Sequence, residues 1–219
     1  MTTPYWSGDG IDLYLGDCRE HTEWLTADVL VTDPPYGNGH SSGREGGGAS
    51  KFSAIPNDED PTIRDTALQS WGARPALIFG TWKVAKPIGT HTVLIWDKGD
   101  AAGMGNLSIP WKPNWDEIYV IGHGFAGRRD TSILTGNRVV TWASKGREHP
   151  NQKPVALIER LLAKCPTGTV ADPFAGSGST LVAAKLQGRK AIGVELVEQY
   201  CEIAARRLDQ GVLAFEDTA

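Results

Sequence analysis

Cysteine is scarce in this 219-residue chain, and Cys18, Cys165 and Cys201 share no framework spacing. An odd count of that kind argues against a disulfide scaffold and points to a reducing compartment. Histidine is sparse too: His40, His123 and His149 stand apart without the spacing of a zinc site, so no metal is expected. No apolar run approaches the roughly 20 residues that span a bilayer. The start, Met1-Thr2-Thr3-Pro4-Tyr5-Trp6, is polar and uncharged rather than leader-like. A soluble, cytoplasmic protein is the expectation. Positive charge is also short: 22 Lys and Arg face 26 Asp and Glu, a net charge of −4. That balance lacks the overall basic excess usual in proteins that bind phosphate backbones. Repeats are absent, and no stretch is rich enough in Pro, Gly or Ser to be an interdomain linker. One domain over residues 1–219 is expected, long enough for a sizeable core.

What is present begins at Asp33-Pro34-Pro35-Tyr36. It closes the β-branched run Asp28-Val29-Leu30-Val31-Thr32, so it reads as the mouth of a buried strand. Open α/β sheets bind their ligands at such strand ends. The prolines fix φ and remove two backbone donors, leaving carbonyl oxygens, a carboxylate and an aromatic ring in one place. Acceptors beside a π-face suit an amino group on a flat heterocycle. A turn made of ordinary turn residues is the plain alternative.

A second motif lies far downstream. Gly168-Thr169-Val170-Ala171-Asp172-Pro173-Phe174-Ala175-Gly176-Ser177-Gly178-Ser179-Thr180 is a short apolar strand followed by a Gly-rich turn. A helical stretch, Leu181 to Gln187, comes next, then the strand Arg189 to Glu195, which ends in an acid. Glycines admit a ligand close to the backbone, and a helix N-terminus offers unpaired N–H groups. A terminal acid can accept hydrogen bonds from a ribose diol. A dinucleotide fold is the rival interpretation. The G-x-G-x-x-G spacing fails after Gly176, and only about forty residues follow the loop, too few for the rest of a doubly wound sheet.

Together the two motifs resemble the amino-group DNA methyltransferases, which methylate exocyclic nitrogens of adenine or cytosine. Asp33-Pro34-Pro35-Tyr36 resembles their catalytic motif, and the Asp172 to Glu195 segment resembles their S-adenosylmethionine site. With the catalytic strand first and the cofactor strand last, the order resembles the β group. The resemblance implies a single, circularly permuted, Rossmann-like class I methyltransferase domain. Its α/β fold would hold a seven-stranded, mostly parallel sheet with helices on both faces. Asp33, Pro34, Pro35 and Tyr36 would be catalytic. Asp17, Cys18, Asp33, Lys153, Asp172, Phe174, Gly176, Ser177, Gly178, Thr180 and Glu195 would bind the cofactor. Within that set, Asp17 would meet the adenine amino group of S-adenosylmethionine, Glu195 its ribose and Lys153 its methionine carboxylate. Each has a plainer alternative: Asp17 as a strand stop, Lys153 as a solvated helix start, Glu195 as a capping acid.

The implied reaction is methyl transfer to N6 of a flipped adenine in double-stranded DNA. An aspartate first in the catalytic motif leans toward adenine, whereas N4-cytosine enzymes more often carry serine. N4-cytosine methylation, RNA or protein-amide methylation and a cofactor-binding module without turnover remain as alternatives. Ring-carbon methylation would need a cysteine in the catalytic motif, which is absent. The resemblance also allows a homodimer and a cognate restriction enzyme.

Recognition of DNA is expected in a short segment, 124–149. Gly127 to His149 carries Arg128, Arg129, Arg138, Lys145 and Arg147 against only Asp130 and Glu148. An ordinary solvated loop is the alternative there. The Gly- and Ser-rich stretch 37–50 is expected to be a mobile loop and a candidate lid. The pattern predicts strands at Ile11 to Leu15, Val29 to Thr32, Ala76 to Phe79, Thr92 to Trp96 and Glu117 to Ile121. It predicts helices at Glu20 to Leu25, Thr62 to Ala73, Pro154 to Lys164 and Val197 to Leu208.

Overall fold

A computed structural model describes residues 2–36, 62–99, 108, 110–112, 114–135 and 152–210. In chain order the elements are β1 (Trp6–Gly8), β2 (Ile11–Leu15), β3 (Val29–Thr32), α1 (Thr62–Trp71), β4 (Ala76–Gly80), β5 (Thr92–Asp97), β6 (Trp115–Ile121) and β7 (Ile133–Leu134). Then follow α2 (Val155–Leu162), β8 (Val170–Asp172), α3 (Ser179–Leu186), β9 (Ala191–Glu195) and α4 (Glu198–Asp209).

Among the described residues the sheet has nine strands, not seven, in the order β1-β2-β9-β8-β3-β4-β6-β5-β7. The two additions are short edge strands that carry too little pattern to be read from sequence. β1 pairs antiparallel with β2, and β7 adds two residues beside β5. The centre, β2-β9-β8-β3-β4, is parallel, whereas β6 runs antiparallel between β4 and β5. The permutation is visible in that order: β8 and β9, late in the chain, fill the middle of the sheet beside β3.

The period of two along the strands sorts side chains to two cores. Val29, Val31, Leu77 and Phe79 pack with Leu157 and Ile158 of α2, Leu181 and Ala184 of α3, and Cys201 and Ala204 of α4. Leu30, Ile78, Tyr14 and Val194 pack on the other face with Ala67 and Trp71 of α1. Helices thus cover both faces.

One predicted helix is different. Glu20 to Leu25 forms only a single 3₁₀ turn, Glu23–Thr26. Six residues close too few hydrogen bonds to offset helix nucleation. Burial of Trp24, stacked on Trp71 with ring centres 5.9 Å apart, fixes the segment instead. The stretch 37–50 lies outside the described residues. No helix among the described residues is long and apolar enough to cross a membrane.

Candidate active site

Because β2, β9, β8 and β3 are parallel neighbours, their C-terminal ends share one edge of the sheet. Across that edge, strand by strand, stand Asp17, Glu195, Asp172 and Asp33. At about 4.8 Å per strand the row spans on the order of 14 Å. Four acids from separate stretches of the sequence therefore line one ledge.

Asp33 has partners on both oxygens. The Tyr36 hydroxyl donates to Oδ1 at 2.6 Å, and Lys153 Nζ donates to Oδ2 at 2.5 Å. Lys153 also donates to the Tyr36 oxygen at 3.3 Å, with its ammonium 5.6 Å from the Tyr36 ring centre and 5.2 Å from that of Phe79. Burial, reinforced by the Asp33 charge, pushes the Tyr36 phenol well above its usual range, so it stays neutral and able to donate. Lys153 is only 8% exposed. It precedes α2, whose N-terminal boundary is Pro154, a position where the missing N–H is tolerated.

One strand away, Asp172 is buried and accepts the Thr32 hydroxyl at 2.6 Å on Oδ1. The Phe174 N–H reaches the same oxygen at 3.2 Å, and Thr180 adds a side-chain hydrogen bond. Burial nevertheless pushes its carboxyl up to about 7, and the Asp33 charge adds to the rise. Thr32 belongs to no motif, and its signal in the sequence is a hydroxyl ending a buried apolar run.

The Gly-rich turn is tied down from both sides. The Gly176 N–H donates to Glu195 Oε2 at 2.8 Å, and the Val197 N–H donates to Oε1 at 2.8 Å. Burial raises the Glu195 carboxyl. Arg207, on α4, donates to the Ser177 carbonyl and lies 3.2 Å from Ser177 Oγ and 3.3 Å from Ser179 Oγ. Nothing in the sequence distinguished Arg207 from an ordinary helix-end cation. Gly178 has φ +77°, and a Cβ there would stand 2.8 Å from that of Ala204. Gly176, at φ +52°, would place a Cβ in open space, with nothing within 4 Å. The turn is thus packed beneath and open above. Open space over a Gly-rich turn, with acids at the flanking strand ends, fits a nucleoside carrying an amino-acid tail.

Other expected residues are placed differently. Both Asp17 oxygens accept from Arg19, including its backbone N–H at 2.9 Å, and this lowers the Asp17 carboxyl. Cys18 packs its side chain in the core, where burial raises the thiol to about 12. Phe174 is half-buried against the same core. Arg128 and Arg129 are exposed, but they follow β6, whose C-terminal Ile121 lies opposite Ala76 at the start of β4. They sit on the edge away from Asp33, beside the end of α2, where Lys164 donates to the Arg128 carbonyl. Arg138, Lys145 and Arg147 lie outside the described residues. Two indoles that no sequence motif marks stand on the same edge as Asp33. Trp82 follows β4 and is 58% exposed, and Trp111, before β6, is 78% exposed.

The DNA methylase family of N6 and N4 methyltransferases matches residues 82–206, more than half of the chain. The chain belongs to that family. The matched stretch holds Lys153, the Gly-rich turn and Glu195. Among curated DNA methylases, the chain is 42% identical over 88 residues to the type II methyltransferase M2.DpnII of Streptococcus pneumoniae. That alignment takes in 38% of this chain and 32% of the relative, so the chain matches about a third of that relative's length. In overall fold it is similar to M1.HpyAVI, solved as a complex with SAM. The TM-score is 0.63 at 20% identity, covering 91% of this chain and 99% of that one. It is also similar to the cytosine-N4-specific PvuII DNA methyltransferase. That TM-score is 0.62 at 15% identity, covering 93% and 88% of the two chains.

Proposed function

We propose that this DNA methylase family member transfers a methyl group from S-adenosylmethionine to the exocyclic N6 of an adenine flipped out of duplex DNA. The observation that carries the proposal is the meeting of Asp33, Tyr36 and Lys153 one strand from Asp172 and the open Gly-rich turn. Glu195 and the Gly176 to Thr180 turn hold the cofactor, which supplies an electrophilic methyl on a positively charged sulfur. Asp33 and the Pro34 carbonyl accept the two amino protons of the base. Those bonds draw the nitrogen lone pair out of conjugation and aim it at the methyl carbon, so positioning and electrostatics carry the rate. The bound cofactor would give up its methyl with sulfur as the leaving group, and Asp33 would pass the surplus amino proton to water. Tyr36 stacks on the extruded ring and offsets part of the few kcal/mol that flipping costs.

The duplex lies along the catalytic edge. Trp82 and Trp111 present stackable indoles there, with Lys83 and Lys112 beside them for the phosphates. Segment 136–151, bearing Arg138, Lys145 and Arg147, joins β7, which ends at this edge, to Lys153, which reaches Asp33 there. Arg128 and Arg129, on the opposite edge, would touch DNA only where it extends past the sheet. A cytoplasmic location follows from a DNA substrate.

The test is incubation of unmethylated plasmid with the protein and S-adenosylmethionine, followed by nucleoside mass spectrometry. N6-methyladenine supports the proposal. N4-methylcytosine keeps the chemistry and overturns the base. Cofactor binding without a methylated nucleoside favours a binding module or an RNA substrate.

A further inference from the structure

Lys153 is part of the cluster with Asp33 and Tyr36, but no step of the methyl transfer described above uses its ammonium, which stands in the acceptor position that the transfer requires. Its ammonium donates to Asp33 Oδ2 at 2.5 Å and lies 3.3 Å from the Tyr36 oxygen, against the Tyr36 and Phe79 rings. A donor nitrogen on that carboxylate, beside that ring, is what the amino group of a flipped base would be. Because Oδ1 already accepts from Tyr36, an amino group arriving beside that ring comes to the oxygen where the ammonium stands and competes with it for that position. Resting on the function proposed above, we infer that Lys153 is a positioning residue that holds the place of the target amino group until the cofactor's carboxylate draws it away.

Electrostatics supports the exchange. Lys153 is buried and the Asp33 side chain is only 26% exposed, so separating the pair without replacement strands two poorly solvated charges. A carboxylate arriving over the Gly-rich turn gives the ammonium a new partner, and the base amino group then gives Asp33 one. The cofactor strand is the neighbour of the Asp33 strand, since β8, which ends at Asp172, pairs with β3, which leads into Asp33. Each ligand relieves the charge left by the other, so the two bind cooperatively. Coupling of this kind is reciprocal and typically five- to 150-fold.

The experiment measures affinity for a duplex containing the site found by sequencing methylated plasmid. S-adenosylhomocysteine, which carries the carboxylate, is compared with 5′-methylthioadenosine, which lacks it, each at a concentration shown by calorimetry to saturate. S-adenosylhomocysteine is expected to raise wild-type DNA affinity about tenfold, and 5′-methylthioadenosine to leave it unchanged. Lys153→Met should bind DNA in the absence of nucleoside as tightly as wild type does with S-adenosylhomocysteine, with no further gain. Lys153→Arg should retain the gain, and melting curves establish that both variants fold. Equal enhancement by the two nucleosides, no enhancement at all in wild type, or an undiminished gain in Lys153→Met overturns the inference. A wild type that makes no methylated base overturns the underlying function instead. A wild type that methylates DNA without this coupling overturns only the role of Lys153.

Discussion

Thr32 and Asp172 are 140 positions apart and share a 2.6 Å hydrogen bond that joins β3, which leads into Asp33, to β8, which leads into the Gly-rich turn. The bond fixes β3 against β8 at the point where the two proposed half-sites meet. Thr32→Val keeps the shape and removes the donor, leaving Asp172 short of one partner in a buried setting. A loss of about 1–3 kcal/mol is expected from urea unfolding at pH 8, with an unchanged m-value. Coincident midpoints for the two proteins would show that the bond is energetically idle.

Asp172 also gives stability a definite pH dependence. Its carboxyl rises from 3.8 to about 7 in the folded protein, so between those values the folded state holds a proton that the unfolded chain has lost. The stabilisation is fully present below about pH 4 and is lost as pH rises toward 7. Asp172→Asn, which cannot ionise, should therefore gain on wild type by up to about 1.4 kcal/mol per pH unit across that window. Melting temperatures from pH 4 to 8 check this, and a constant difference across the range would refute it.

Two glycines in one turn should fail differently when replaced by alanine. Both pay a left-handed backbone penalty of about 1–2 kcal/mol. Gly178→Ala adds a clash with Ala204 of α4, so it should melt lowest. Gly176→Ala meets only open space, so it should melt higher and yet lose S-adenosylmethionine affinity by tenfold or more, at least ~1.4 kcal/mol. Thermal melts beside calorimetric titration separate the two, and unimpaired cofactor binding by Gly176→Ala would show that the open space is not the cofactor's.

Turnover and cofactor binding should part at the catalytic motif. Asp33→Ala should still bind S-adenosylmethionine while methylation falls on the order of a hundredfold or more. Tyr36→Phe keeps the ring and loses only the hydroxyl that orients Asp33 Oδ1, so it should retain more activity than Tyr36→Ala. Single-turnover rates decide, and full activity in Asp33→Ala removes it from the mechanism.

Placement of the duplex along the catalytic edge is checked by Trp82→Ala and Arg128→Ala. Loss of one base-stacking indole should weaken DNA binding by about 1–3 kcal/mol with cofactor affinity intact. Arg128→Ala, on the far edge, should change it much less. The reverse ranking would put the duplex on the other side.

The site was legible in the sequence wherever a local pattern carried its chemistry. A carboxylate, two prolines and an aromatic closing a β-branched run, and a Gly-rich turn between a strand and a helix, depend on neighbours a few residues away. The strands Val29–Thr32, Ala76–Gly80 and Ala191–Glu195 were legible for the same reason, since burial imposes a short-range pattern. Glu20 to Leu25 has a helical pattern but forms a single 3₁₀ turn, because its conformation answers to the long-range stack of Trp24 on Trp71. The edge strands β1 and β7 span three and two residues, so their existence depends on the strand beside them.

The sequence by itself determined the family chemistry, the permuted order of the motifs and the acids at the strand ends. Tertiary structure alone decided which charges face one another. Lys153 on Asp33, Arg207 on the Gly-rich turn and Thr32 on Asp172 are separated by 120, 30 and 140 positions. It also put Arg128 and Arg129 at the edge away from Asp33, because β6 runs against its neighbours. Strand direction and long-range pairing follow from how the whole sheet buries its two faces, a property that no local window of residues contains.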